Sequence, residues 1–379
     1  MYLKKLCKLR ESVFNKDRRD VVLDLSDLLE SKIDGNAFFD ENFITAGMKT
    51  LIEKTFGRLE GSGDQASTFL LTQAMGGGKT HNMIALGLLA LDPALRQQVL
   101  GEKSPGNDLQ TVRVVGFNGR QSDAPLGVWG AIAEQLGKKE AFNDYYSPLQ
   151  APGETAWINL LKGEPTIIML DELPPYMEYV KSKEIGNSDL SVVTTTALSN
   201  LLVAVNKAAL SNVCVIISDL TASYQGGSRQ ITKALDNLQS ETNRSALRIE
   251  PVNTHGDELY HILRTRIFKE LPDNAAIKEI ANQYASAVKS VKEMDVTSAS
   301  PDSYAAQLIE SYPFHFSIRD LYARFKENPG FQQTRGLICL MRTIVSSMYE
   351  TGTADKQMLM QPCALPVQLK TITEAEYKA

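Results

Sequence analysis

Thr68-Phe69-Leu70-Leu71-Thr72-Gln73-Ala74-Met75-Gly76-Gly77-Gly78-Lys79-Thr80-His81 runs from an apolar, β-prone stretch through three consecutive glycines into an apolar helical pattern that continues to residue 91. Strand, glycine loop and helix in that order predict an α/β fold whose first crossover opens on a phosphate-binding loop. Glycines let successive backbone N–H groups turn inward into an anion-holding nest, and the helix N-terminus adds a favourable dipole. In such a loop Met75, Gly76, Gly77 and Gly78 line the phosphates, Lys79 reaches the outer ones, and Thr80 offers its hydroxyl to Mg²⁺. His81 follows on the first helical turn, where it hydrogen-bonds near the phosphates or simply packs. One position departs from the pattern G-x-x-x-x-G-K-[ST], because its first glycine falls on Gln73. Gly76 and Gly77 are expected to supply the missing freedom.

Downstream, Thr166-Ile167-Ile168-Met169-Leu170-Asp171-Glu172 is a buried-strand pattern ending in adjacent carboxylates. Beside a phosphate loop that placement has a chemical use: Asp171 holds Mg²⁺, and Glu172 orients or deprotonates the attacking water. A third apolar run over 213–218 ends in Ser218-Asp219. Either residue is placed to sense a γ-phosphate, and a strand-end cap accounts for either equally well. An arginine from a neighbouring subunit would stabilise charge on the transferring phosphoryl group. Arg244 is the candidate, with Arg229 and Arg248 as alternatives that spacing does not separate, and Arg335 is a further candidate from the helical region.

Apolar runs predict strands over 68–72, 111–117, 166–170, 213–218 and 247–252, with helices over 80–91, 128–136, 154–161, 189–210 and 230–238 between them. Short, nearly continuous apolar runs alternating with helices signify a parallel sheet sandwiched by helices. After Val252 the strand signal stops, and 254–350 reads as an all-helical lid domain. Residues 1–60 form an N-terminal extension with a basic start and a helical stripe of Met48, Leu51, Ile52, Phe56 and Leu59. The sheet core spans 61–253, and 351–379 is an irregular tail. A length of 379 residues accommodates two or three such domains.

Composition narrows the function classes. Hydrophobic residues at 43% and charged residues at 22% describe a folded chain, and a net charge of -5 excludes a global cationic field for coating nucleic acid. Contact with DNA would therefore be a local patch. Four scattered cysteines without clustered histidines indicate neither a zinc site nor a disulfide framework. No run approaches the roughly 18 apolar residues of a membrane span, so a cytoplasmic protein without a membrane partner is expected.

With these residues in view, the chain resembles the AAA+ branch of P-loop ATPases over most of 61–350: two motif strands separated by one intervening strand, then a helical lid. More narrowly, Leu71 to His81, Tyr312-Pro313-Phe314-His315 and Phe331-Gln332-Gln333-Thr334-Arg335-Gly336 resemble the bacterial ATPases of the domain-of-unknown-function family numbered 499. Gln73 would then be a family trait. The resemblance implies ATP and Mg²⁺ as ligands, Asp171 and Glu172 as the metal and hydrolysis pair, and Arg335 as a lid arginine. It also implies a homo-oligomer acting with other proteins of a bacterial anti-phage defence system. Members of that kind are usually longer, with a large region after the lid, whose effector activity does not carry over to these residues. The function expected is Mg·ATP hydrolysis that drives conformational change or assembly. The alternatives are a nucleotide-gated signalling scaffold with little hydrolysis and a DNA-bound ATPase helper of a restriction or transposition machine.

Overall fold

Five of the apolar runs form one parallel sheet: β1 (Thr68–Leu71), β2 (Arg113–Asn118), β3 (Thr166–Asp171), β4 (Val213–Ser218) and β5 (Ala246–Ile249). The computed structural model describes residues 2–15, 23–61, 65–120, 123–218, 240, 246–253, 256–293, 300–326 and 328–360. The strand order is β2-β3-β4-β1-β5. Thr68 pairs with Val215 on one side and Ala246 on the other, while Ile168 pairs with Val115 and Val215. The strands that carry the glycine loop and the Asp-Glu pair thus flank β4, as the resemblance implied. All five C-terminal ends point the same way, so the loops that follow them gather along one edge.

The inner strands β1, β3 and β4 are buried along their whole length, and the period of two sorts their side chains, with those of β2, between two cores. Val115, Phe117, Ile168, Leu170, Val215 and Ile217 pack with Trp129, Trp157, Tyr176 and Leu198. Phe69, Leu71, Ile167, Met169, Cys214 and Ile216 pack with Met48, Ile52, Phe56, Ile84 and Leu86. Fully burying such a side chain stabilises by roughly 1.5–3 kcal/mol. Helix Lys79–Leu91 lies inside the second core, with every residue from Asn82 to Ala90 buried, which explains why it is apolar all round rather than striped. No single described helix is long and apolar enough to cross a membrane. This helix and Pro93–Leu100 meet the criterion only as a pair bent by 116°.

Two buried arginines anchor helices to the sheet unit. Arg58, from helix Ala46–Leu59, donates to the carbonyls of Val213, Gln65, Val205 and Leu210. Arg96 donates to Leu89, Leu109 and Gln110 and lies 5.0 Å over the Phe56 ring. Burial lowers the pKa of both guanidinium groups.

The chain divides into two units. One comprises Val22–Phe39 and Ile44–Val252 and contains the sheet; the other comprises Met1–Val21, Asp40–Phe43 and Asn253–Ala379. The segment expected as an extension over 1–60 is therefore shared between them. Helix Ala46–Leu59 buries the predicted stripe in the sheet unit. The second unit carries helices Glu258–Ile267, Asn274–Glu293, Pro301–Ser311, Ile318–Phe325 and Gln333–Glu350.

It is not all-helical, which corrects the sequence expectation. Phe268–Glu270 is a short strand, antiparallel to Lys8–Leu9, with Leu9 opposite Phe268 and Lys8 opposite Glu270. Local periodicity carries no trace of a pairing between segments so distant in sequence. Around it Leu3, Cys7 and Val13 are buried, and the Tyr349 hydroxyl donates to the Cys7 carbonyl at 2.7 Å. Within the expected tail, Thr353–Asp355 forms a 3₁₀ turn and Met360 bridges to Phe314. Residues 361–379 and the expected helix over 230–238 lie outside the described residues.

Candidate active site

The loop between β1 and helix Lys79–Leu91 needs backbone conformations that side chains resist. Gly76 has φ 78° and Gly78 has φ 91°, both in the left-handed region where glycine is favoured. Gly77 is required for a different reason: a Cβ there would come 2.5 Å from Cγ of Gln73 and 2.9 Å from the Ala74 carbonyl oxygen. Met75 is exposed at the loop. The Lys79 ammonium donates back to the Gln73 carbonyl at 2.5 Å, so it already faces the loop's main chain.

Thr80 and Asp171 are brought together. The Thr80 hydroxyl donates to Oδ2 of Asp171 at 2.6 Å, joining the loop helix to the end of β3. Asp171 is 2% exposed, and its Oδ1 accepts the Glu172 N–H at 3.0 Å. Ser218, buried at the end of β4, accepts the same N–H at 3.1 Å through Oγ. Ser218 thus touches the Asp-Glu turn directly. Glu172 adopts φ 48°, in the left-handed region, and immediately precedes helix Leu173–Val180. Its carboxylate pairs with the Arg120 guanidinium.

Three features of the site have no counterpart in the sequence reading. Arg120 follows β2 by two residues and reaches Glu172 because β2 and β3 are neighbours, with Asn118 opposite Asp171. Gly119 lies against the same turn, where a Cβ would come 2.2 Å from the Glu172 carbonyl oxygen. Gln73 uses its amide on the backbone of Val252, donating through Nε2 at 3.0 Å and accepting the N–H at 3.1 Å. The only signal in sequence was the presence of a glutamine where the pattern asks for glycine.

His81 stacks on Phe38, with ring centroids 4.6 Å apart. Arg248 is exposed on β5, whereas Arg244, Arg229 and Asp219 lie outside the described residues. Arg335 stands in the first turn of helix Gln333–Glu350 in the second unit. Just before it Gln332 and Gln333 have positive φ, and Gly336 packs so tightly on Phe331 that a Cβ would meet its carbonyl oxygen at 1.7 Å.

Among the described residues no group of three or more His, Cys, Asp or Glu side chains converges to hold a metal ion. What converges is one hydroxyl and one carboxylate, Thr80 and Asp171, beside a glycine cradle and a lysine. That set fits Mg²⁺, which takes hard oxygen donors and is ordinarily bound through one or two carboxylates together with substrate phosphates. The buried thiols of Cys7 and Cys214 are pushed up to about 12 by burial, which removes them as thiolate nucleophiles near neutral pH.

Two family descriptions match the chain: the DUF499 N-terminal domain over residues 1–104 and 121–253, and the DUF499 second domain over residues 254–375. The change between them falls next to the point where the chain leaves the sheet unit, after Val252. No curated protein matches the chain.

Proposed function

The chain belongs to the DUF499 family, and on that premise we propose that it is a P-loop ATPase of the AAA+ kind, binding Mg·ATP on the glycine loop and hydrolysing it. The observation that carries this reading is the 2.6 Å hydrogen bond between Thr80 and Asp171, which brings together a helix-start hydroxyl and a strand-end carboxylate from separate motifs. Backbone N–H groups of Gly76 to Lys79 and the Lys79 ammonium would hold the phosphates, while Thr80 and Asp171 would hold Mg²⁺. Bound there, Mg²⁺ would supply charge neutralisation on the β- and γ-phosphate oxygens. Glu172 would take the proton of the attacking water, with Ser218 and Asp171 fixing its backbone. Release of Glu172 from Arg120 would accompany that role.

The proposal extends to a helical unit that moves with nucleotide state, to a homo-oligomer that supplies an arginine in trans, and to a place in bacterial anti-phage defence with partner proteins. Binding assays with Mg·ATP and multiple-turnover phosphate release test the core of it. Wild type is expected to bind Mg·ATP, and Lys79→Ala to lose binding by about tenfold or more, since a charge-assisted contact to phosphate is removed. No Mg·ATP binding by wild type, with Lys79→Ala indistinguishable from it, would sink the reading. A second reading, a nucleotide-gated scaffold with little turnover, draws on the Arg120–Glu172 ion pair, which occupies the candidate base. Turnover on the order of 1 s⁻¹ or more excludes the scaffold.

A further inference from the structure

After β5 ends at Ile249, three residues carry the chain to the limit of the sheet unit at Val252, and each is held. Gly47 approaches Glu250 so closely that a Cβ would stand 1.9 Å from its carbonyl oxygen. The Thr45 hydroxyl donates to the Pro251 carbonyl at 2.5 Å. The Gln73 amide takes both backbone groups of Val252. Thr45 itself stands just past Ile44, where the chain re-enters the sheet unit after the segment Asp40–Phe43. The re-entry of the chain near Ile44 is therefore fastened to the stretch 250–252 at its final exit, and Gln73 fastens that stretch to the glycine loop.

Gln73 also meets the loop from below. Its carbonyl receives the Lys79 ammonium, and its side chain fills the space a Cβ at Gly77 would need. A glycine at 73 would provide loop freedom without any such link. Glutamine provides the link, and Gly77 makes room for it.

We propose that Gln73 is a positioning residue that transmits occupancy of the glycine loop to the backbone of Val252, and so to the junction where the chain leaves the sheet unit. This rests on the reading that the loop takes the phosphates of a nucleoside triphosphate. Phosphate oxygens compete with the Gln73 carbonyl for Lys79; as Lys79 turns to them, the Gln73 main chain is released and its amide pair on Val252 shifts.

Hydrogen exchange on the whole chain, with and without Mg·ATP at concentrations that saturate each protein, tests the link. Without nucleotide, the peptide covering 247–253 in Gln73→Ala is expected to exchange about tenfold faster than in wild type, because two hydrogen bonds to Val252 are gone. Saturating Mg·ATP is expected to change exchange of that peptide in wild type and leave it unchanged in Gln73→Ala, while the peptide covering 79–91 is protected in both. Gln73→Glu keeps an acceptor for the Val252 N–H but sets a carboxylate against its carbonyl. It is expected to resemble Gln73→Ala at pH 8 and to regain the nucleotide response as acidification protonates the carboxylate, a recovery Gln73→Ala does not share. An unaltered 247–253 response in Gln73→Ala, with protection of 79–91 intact, overturns the inference alone. Wild type that shows neither Mg·ATP binding nor protection of 79–91 overturns the ATPase reading, and the inference with it.

Discussion

At Glu172 the main chain, as much as the carboxylate, is held in place. A non-glycine residue at φ 48° costs about 1–2 kcal/mol relative to ordinary backbone. Asp171 and Ser218 hold its N–H, Gly119 packs on its carbonyl, and Arg120 takes its side chain. Strain over-determined in this way is common where a side chain must be aimed. Glu172→Gln is accordingly expected to retain Mg·ATP binding and to lose turnover by about 100-fold or more, read as phosphate release against nucleotide binding. Unchanged turnover would remove Glu172 from the chemistry. A second residue has a pH signature of its own. Nε2 of His315 lies 3.1 Å from the Tyr304 hydroxyl and Nδ1 lies 2.6 Å from the Ser317 hydroxyl. Burial lowers the His315 pKa below the ordinary 6.5, against the opposing pull of Asp320. The folded chain thus keeps the imidazole neutral where the unfolded chain takes a proton. Its contribution to stability is complete above the ordinary value and is lost as pH falls through the folded pKa. Titration of the His315 ring by NMR should show a midpoint under 6.5, and His315→Gln should flatten the acid side of the stability profile of the helical unit.

Among the elements, helix Ala46–Leu59 is fastened to the sheet unit both by its apolar stripe and by Arg58. Four carbonyls accept from one buried guanidinium, so Arg58→Ala leaves several acceptors without a donor. A loss of about 3 kcal/mol or more is expected in denaturant unfolding of the sheet unit. Lysine should not restore it, since an ammonium cannot fork to four separated carbonyls. The stripe of Met48, Leu51, Ile52, Phe56 and Leu59 was legible in sequence, and so were the five strands; for the three inner ones, burial on both faces writes a continuous apolar run. Helix Leu173–Val180 was not, since Pro174 and Pro175 interrupt local helical periodicity, although proline is tolerated in a first helical turn. Strand Phe268–Glu270 was hidden inside a helical pattern, its partner being at the other end of the chain. The site divides the same way. Local spacing exposed the loop and the Asp-Glu pair, whereas Arg120 on Glu172 and Gln73 on Val252 depend on which strands are neighbours.

For the whole molecule, the second unit is discontinuous, built from both ends of the chain. Leu3 is fully buried there, and Lys4 pairs with Asp355 at 2.8 Å. Leu3→Ala is expected to cost about 2–5 kcal/mol, as for other core truncations. Limited proteolysis should show faster cleavage within 258–350, with the sheet unit spared; equal cleavage of both units would contradict the assignment of the N-terminal segment.

That discontinuity also sets an order of events on the ribosome. Lys8–Leu9 emerge long before the strand they pair with, Phe268–Glu270, and before Tyr349, whose hydroxyl bonds the Cys7 carbonyl. The sheet unit has all five strands available once residue 249 has emerged, while Lys8–Leu9 still wait for their partner. A nascent chain halted near residue 253 would hold all five strands of the sheet and an unpaired Lys8–Leu9, and a fragment beginning at residue 253 would lack one strand of its ladder from the outset.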